Sequence, residues 1–563
     1  MLYFLYAIIT SLIIFFIGPS FGILDIRFMP FFQTLITIIG TISLYKIIDS
    51  VKAKELLLII LLILLAFIIK DYNKNTSNWI KWNYEGFEGK ETWKTFYMIN
   101  SYLKTHDTGR VLYEHSGLNN VFGTLRAFES LPYFAKRNTL EGLYMMASIT
   151  SPFVFYIEGE TSEQPCHPYP NYFYPTFSID NAISHLKLFN VSHFIVRTNF
   201  VKNALAINPN FKLEKTYGDY SIYSLLSNSG QYVEALKNYP VLFKTNNWRK
   251  TSYLWFANEK LNDTYLVFLE KSDPNFKAYA SSFDTIKTIP INSPVPIISS
   301  KISDESINIR TSDKRCPLLI KISYHPNWHV AGADKIYLVS PCFMLIFPKN
   351  NNITLTFEKG FFDYLGLYFT IFGLIILFLQ IPYLSKIKYR LSIVRTESLI
   401  IYLDNRIEGL YKKINYKHLV GILAIFISIF IIVFVYTRNN NSFYVIKRAR
   451  AAYSIRNYQK ARSLFNKVIS LQDNLGADNE ARLFYALTYN GEGQYKEGLK
   501  YINEFINYYP NSFWTPQAYF EKAWTLGALR EKEKSIEGYK TVINKFPNTV
   551  WKKYSIERLK EFK

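Results

Sequence analysis

Five apolar stretches constrain this chain before anything else in it: Leu2–Gly18, about Phe31–Ile48, Leu56–Ile69, Phe361–Leu379 and Leu419–Tyr436. Crossing the hydrocarbon core of a bilayer takes ~20 apolar residues, fewer where basic side chains at the ends reach the headgroups, as Lys54 and Lys70 do around the third stretch. The pattern predicts a multi-pass α-helical membrane protein with five spans. The first stretch has neither a basic leader nor a small-residue cleavage site, and another apolar stretch follows at once, so it reads as a span rather than a signal peptide. The chain opens inside an apolar run, as a chain lacking earlier helices would.

Basic residues set the predicted orientation. The connector 385–418 carries Lys386, Lys388, Arg390, Arg395, Arg406, Lys412, Lys413 and Lys417, and the loop after the second stretch carries Lys46, Lys52 and Lys54. Both are expected on the cytoplasmic side. Leu399, Ile400, Leu403, Ile407, Leu410 and Ile414 share one helical face, which suits an amphipathic helix within the connector. The remainder divides into three spans (1–70), an extracytoplasmic α/β domain (71–300), a β-sandwich part (301–360), span four (361–384), the connector (385–418), span five (419–436) and a C-terminal domain (437–563). The α/β assignment rests on helical signals at Trp93–Lys104 and Asn181–Leu188, alternating with strand signals at Arg110–Tyr113 and Phe194–Arg197. The sandwich rests on four short strands, Leu318–Tyr324, Lys335–Val339, Phe343–Phe347 and Ile353–Phe357.

The last 127 residues repeat with a period of 37: Ala449, Ala486 and Ala523; Phe465, Ile502 and Tyr539; Val468, Phe505 and Val542; Tyr458 and Tyr495; Pro510 and Pro547. Within the second unit Ala486, Tyr489, Gly493, Tyr495 and Gly498 stand at the spacing of a helix–turn–helix repeat, closed by Pro510. Small residues at one position and aromatics at another are what stacked helix pairs need. The pattern resembles the tetratricopeptide repeat and implies an α-solenoid that binds an envelope protein or peptide. Basic residues outnumber acidic ones here by 22 to 12, which favours acidic partners or anionic headgroups.

Other residues carry a second resemblance. Ile322-Ser-Tyr-His-Pro-Asn-Trp-His329, Gly332-Ala333, Ser340-Pro341 and Phe343-Met344, with Gly109–Glu114, Leu131-Pro132, Arg137 and Glu141-Gly142, Leu188–Val191 and Asp25–Arg27, are similar to the C-terminal part of GT-C-like, 6-pyruvoyl-tetrahydropterin synthase-related (YfhO-type) bacterial membrane proteins. The resemblance covers about residues 1–385. It implies a tie to glycosyltransferases that use a polyprenyl-phosphate lipid; the tetratricopeptide resemblance implies a bacterium with an outer membrane, so with the basic-residue orientation the protein is expected in the inner membrane with its large domains on the periplasmic side. Those enzymes place their catalytic acid in an earlier outer loop. Here the charged residues between the first two stretches are Asp25 and Arg27, weak catalytic candidates that also read as an interfacial ion pair.

Two functions follow: a scaffold or assembly factor with a protein-interaction tail, or part of a glycosyltransferase. The chain shows no Walker motif, dinucleotide fingerprint or zinc-protease motif, so no cofactor is expected and the chain is not expected to catalyse by itself. The net charge of +21 is spread over all regions without a nucleic-acid motif. Cys166 and His167 lack further ligands at metal spacing. His325 and His329 bracket a predicted turn. Glu114, Glu129 and Glu141 stand in the family-like segments without a paired base. A disulfide between Cys316 and Cys342, which flank neighbouring predicted strands, is left open for geometry to decide.

Overall fold

The computed structural model describes residues 2–18, 27–50, 52, 54–106, 109–142, 148–261, 263–269, 271–292, 298–380, 428, 432, 435–436 and 438–562. Three helices come first: α1 (Leu2–Ile17), α2 (Met29–Asp49) and α3 (Lys54–Tyr84). The polar middle follows with α4 (Trp93–Lys104), β1 (Arg110–Tyr113), α5 (Leu131–Phe134), α6 (Ser151–Thr161), α7 (Ile179–Leu188), β2 (Val191–Val196) and α8 (Asn199–Ala206). A hairpin of β3 (Phe211–Tyr217) and β4 (Tyr220–Leu225) completes the first sheet, in the order β1-β2-β4-β3. β1 runs parallel to β2, and the other two pairs are antiparallel. Every residue of β2 is buried, as expected of a strand covered on both faces. Ser178 and Thr198 cap α7 and α8, accepting from the Asn181 and Val201 amides.

Two further sheets form the sandwich. β5 (Val233–Ala235), β6 (Val241–Phe243), β7 (Leu266–Val267), β8 (Ala278–Ala280), β11 (Leu318–Ser323), β13 (Tyr337–Val339) and β14 (Phe343–Ile346) make a seven-stranded sheet, order β5-β11-β14-β13-β7-β6-β8, with α9 (Trp248–Phe256) between β6 and β7. β9 (Ile298–Ile302), β10 (Ser306–Thr311), β12 (Trp328–Ala331) and β15 (Asn352–Phe357) make the other, order β12-β15-β10-β9. Ile307, Ile309, Leu318, Ile320, Met344, Ile346, Ile353 and Leu355 interlock between them. The four strands expected from the sequence are thus shared between two sheets, and the larger sheet reaches back to Val233 rather than beginning at 301. A sheet needs a second apolar face over its own, and β5–β8 complete the sheet that supplies it.

After α10 (Phe361–Gln380), seven helices form the C-terminal region: α11 (Ser442–Ser454), α12 (Tyr458–Leu471), α13 (Leu475–Gly491), α14 (Tyr495–Tyr508), α15 (Thr515–Ala528), α16 (Lys532–Lys545) and α17 (Val550–Lys560). Each packs mainly on the next.

The five-span expectation is corrected. Among the described residues one helix, α2, is long and apolar enough to cross a bilayer, and the apolar parts of α1 and α10, Tyr6–Phe16 and Phe361–Leu377, are shorter. The run Leu56–Ile69 is the first half of the 31-residue α3, whose second half carries Lys70, Asp71, Lys74 and Lys81. A run shorter than the hydrocarbon thickness does not by itself make a span. Instead of a multi-pass helical protein, the described residues form a mixed architecture of three sheets and a helical array. The fifth predicted span falls outside the described residues except for 428, 432, 435 and 436, and the connector 385–418 with its amphipathic helix falls wholly outside them.

Candidate functional site

The repeating positions meet inside the helical array. Ala449, Ala486 and Ala523 are fully buried, and Phe465, Ile502 and Tyr539 fill the spaces they leave. Gly498 lets α14 approach α13: a Cβ there would collide with the Asn490 side chain. Asn490 Nδ2 in turn donates to Thr525 Oγ1 of α15 at 2.7 Å. Tyr458 lies over Gly491, Tyr489 stacks on Tyr501 with ring centroids 5.3 Å apart, and Tyr495 meets Trp524 edge-on. Gly493 turns the chain between α13 and α14 with φ of +77°. Pro510 and Pro547 follow α14 and α16, where a residue without an N–H cannot prolong the helix.

One edge of the array is docked on the rest of the molecule. The irregular segment Asn171–Tyr174, which leaves a turn closed by the Tyr172 amide on Tyr169 O, runs along it. The Leu475 and Gly476 amides donate to Asn171 O at 2.9 and 3.4 Å, and the Phe513 amide donates to Tyr174 O at 2.7 Å. Asn474 Nδ2 donates to Asn171 Oδ1 at 2.9 Å, and Asn511 Nδ2 to Glu259 Oε1 at 2.8 Å. The Phe173 ring sits 4.8 Å from that of Tyr509, whose hydroxyl donates to Asp478. On its other side Phe173 O accepts from Tyr253 of α9. One apolar core runs through Phe173, Tyr253, Phe343, Leu475, Phe505 and Tyr509.

Beside this segment lies a group of carboxylates. Arg126 Nε bonds Glu129 and stands 3.9 Å from Glu141 Oε2. Burial, and then the Glu141 charge, push the Glu129 carboxyl up to about 7 against the pull of Arg126. Burial and then Glu141 push Glu158 well above the usual carboxylate range. Among the described residues, both Glu158 carboxyl oxygens and the Tyr113 hydroxyl are buried without a hydrogen-bond partner. Glu158 therefore holds its proton at neutral pH, and Glu129 is part-protonated there. Among the described residues no three His, Cys, Asp or Glu side chains are placed to hold a metal.

The remaining sequence candidates are structural or dispersed. Glu114 accepts from the Arg197 and Thr198 amides at 2.7 and 2.8 Å and from the Thr198 hydroxyl, tying β1 to the start of α8. His167 stacks on Tyr174, and the Cys166 thiol is raised by burial. His325 accepts from the Asn327 amide within its turn. Asp25 lies outside the described residues, and Arg27 is exposed. The Cys316 thiol lies 4.0 Å from Asp313 Oδ2, and Cys316 and Cys342 are buried and not bridged to each other. The register explains why: Leu318 pairs with Ile346 and Ser323 with Phe343, so Cys316 and Cys342 stand at opposite ends of the β11–β14 pair. Sequence reasoning missed Gly476 and Glu158, whose neighbours are distant in the chain.

Comparison with known proteins separates the two halves. Residues 480–512 and 517–549 match the family described as tetratricopeptide repeat. The C-terminal array is built of tetratricopeptide repeats. Residues 99–237 match a domain of unknown function (DUF8559), which lends no support to the glycosyltransferase-related resemblance. No curated protein matches the chain significantly. Solved structures similar to the array include MamA 41-end from Desulfovibrio magneticus RS-1, at 18% identity over 23% of this chain and 68% of that one, TM-score 0.20. Another is the Arabidopsis OM64 TPR domain, at 14% identity over 22% and 99%, TM-score 0.19. A third is the first TPR of Spaghetti (RPAP3), solved bound to an HSP90 peptide, at 14% identity over 22% and 90%, TM-score 0.19.

Proposed function

We propose that this protein is a scaffold whose tetratricopeptide array recruits a partner protein through a peptide segment. The observation that carries this reading is intramolecular. The array already receives one irregular segment, Asn171–Tyr174, through main-chain hydrogen bonds and an aromatic contact. Main-chain bonds give such an edge affinity, and the ring contact gives it preference for aromatic sequences. The excess of basic side chains in 437–563 favours acidic sequences nearby. We place the protein at the bacterial envelope, held to its membrane by α2, which has no buried residue. No described residue favours the alternative of sugar transfer from a polyprenyl phosphate.

The test is selection of binding peptides from a displayed library with the full chain, followed by hydrogen-exchange mapping. Protection within 442–562 is the expected result. Protection confined to 93–360 overturns the reading. Flotation with liposomes tests the attachment, which is abandoned if the full chain stays at the bottom of the gradient.

A further inference from the structure

The docked edge is periodic. Asn474, Asn511 and Asn548 are 37 residues apart, and so are Gly476, Phe513 and Val550. Each trio marks the turn that opens α13, α15 and α17. Two of the three turns are filled by the molecule itself. The Gly476 and Phe513 amides take carbonyls of the Asn171–Tyr174 segment, and the Asn474 and Asn511 side chains take Asn171 and Glu259. The segment does not continue to the third turn, because the chain turns inward and the Ser178 amide bonds Glu160 O.

At that third turn the same groups are present and open. Asn548 is exposed and Val550 is 54% exposed. Among the described residues nothing accepts from the Val550 amide. Phe546 stands where Tyr509 receives Phe173. Lys552 and Lys553 follow on α17, and among the described residues neither has an ion-pair partner. A turn whose only task was to end the array would present polar groups. This one exposes Val550 and, one helical turn on, Tyr554 at 42%.

We propose that the turn Phe546–Val550 is a vacant copy of the docking edge, which takes an aromatic peptide segment carrying an acidic residue from a partner protein. This rests on the reading of the array as a recruiter of peptide segments and names where and what it recruits. The occupant is built like the internal one: a carbonyl for the Val550 amide, a ring for Phe546, and a carboxylate for Asn548 in the place Glu259 takes at Asn511. Lys552 and Lys553 favour further acidic residues. A second copy of this chain is a poorer occupant, since its own Asn171–Tyr174 segment is already buried against its own array.

The probe is a fluorescein-labelled peptide of the chain's own sequence Pro168–Phe177 with two glutamates added at its end, titrated into the full chain and read by anisotropy. Val550→Pro removes the amide at a helix position that tolerates proline. It should weaken binding about five- to tenfold, as the loss of one good hydrogen bond does. Asn548→Ala should weaken it by a similar factor, and Asn511→Ala should leave it unchanged. Hydrogen exchange should protect 546–554. The proposal is overturned if the peptide does not bind, if Val550→Pro binds like wild type, or if protection falls on 474–478 and 511–515, meaning that the probe displaces the internal segment. It is equally overturned if sedimentation shows a dimer abolished by Val550→Pro. If library peptides protect the array elsewhere while this probe fails, the recruiting role stands and only this site falls.

Discussion

Gly476 shows how much a single side chain can decide. A Cβ there would lie 2.7 Å from Pro170 O and 2.8 Å from Tyr172 O, both rigid backbone atoms. Gly476→Ala should therefore push the Asn171–Tyr174 segment off the array and cost about 1–3 kcal/mol in chemical denaturation. The signature residues Ala449, Ala486 and Ala523 were legible because their neighbours recur at a fixed period. Gly476 was not, because its neighbours lie some 300 residues earlier in the chain. The acidic group behaves likewise. Glu129 and Glu141 stood out in the sequence, but that Glu158 joins them is a fact of the fold. The folded-state carboxyls of Glu129 and Glu158 are raised above the unfolded value, so the folded chain holds protons the unfolded chain has released. That contribution is fully present below about pH 4.5 and is lost as pH rises toward about 7, the value for Glu129. Glu129→Gln should flatten this fall by on the order of 1 kcal/mol, allowing for screening at the partly exposed Arg126. Denaturation midpoints measured from pH 4.5 to 7.5 check it, and an unchanged slope would refute the assignment.

At the scale of elements, periodicity was read well and length was read poorly. The helix predicted over Trp93–Lys104 spans those residues, with Phe96, Ile99 and Leu103 buried on one face. The apolar stretches misled because composition marks a segment as apolar without saying where its helix stops. α3 runs on through its polar half to Tyr84. Strands were found one by one, but which sheet each joins depends on pairing with segments far away, as β11 pairs with β5. The joint between β1 and α8 was equally hidden: Glu114 satisfies two amides and a hydroxyl 83 and 84 positions later. Glu114→Ala leaves those two amides without their acceptor and should cost about 2–4 kcal/mol. Faster hydrogen exchange at Arg197 and Thr198 would localise the loss. Unchanged exchange there would show that another group had taken over.

Across the whole molecule, the apolar core does not stop at the border between the domain of unknown function and the repeats. Phe173 touches Tyr253 on one side and Tyr509 on the other, at centroid separations of 5.4 and 4.8 Å. A helical array alone unfolds as a sum of neighbouring repeats. An array sharing its core with a sheet domain is tied to that domain's stability. Wild-type chain should therefore lose its sheet and its repeats in one thermal transition, the two followed by near-ultraviolet signals and by helical circular dichroism. Phe173→Ala removes the ring that bridges them, at a cost of about 3–5 kcal/mol. It should split the melt in two, with the helical signal falling first because the array then keeps only contacts between adjacent helices. A single transition merely shifted to lower temperature would mean that the backbone bonds from Asn171 and Tyr174 hold the halves together without the ring. Two transitions already present in the wild type would mean that the array folds independently, with the docked segment only resting on it.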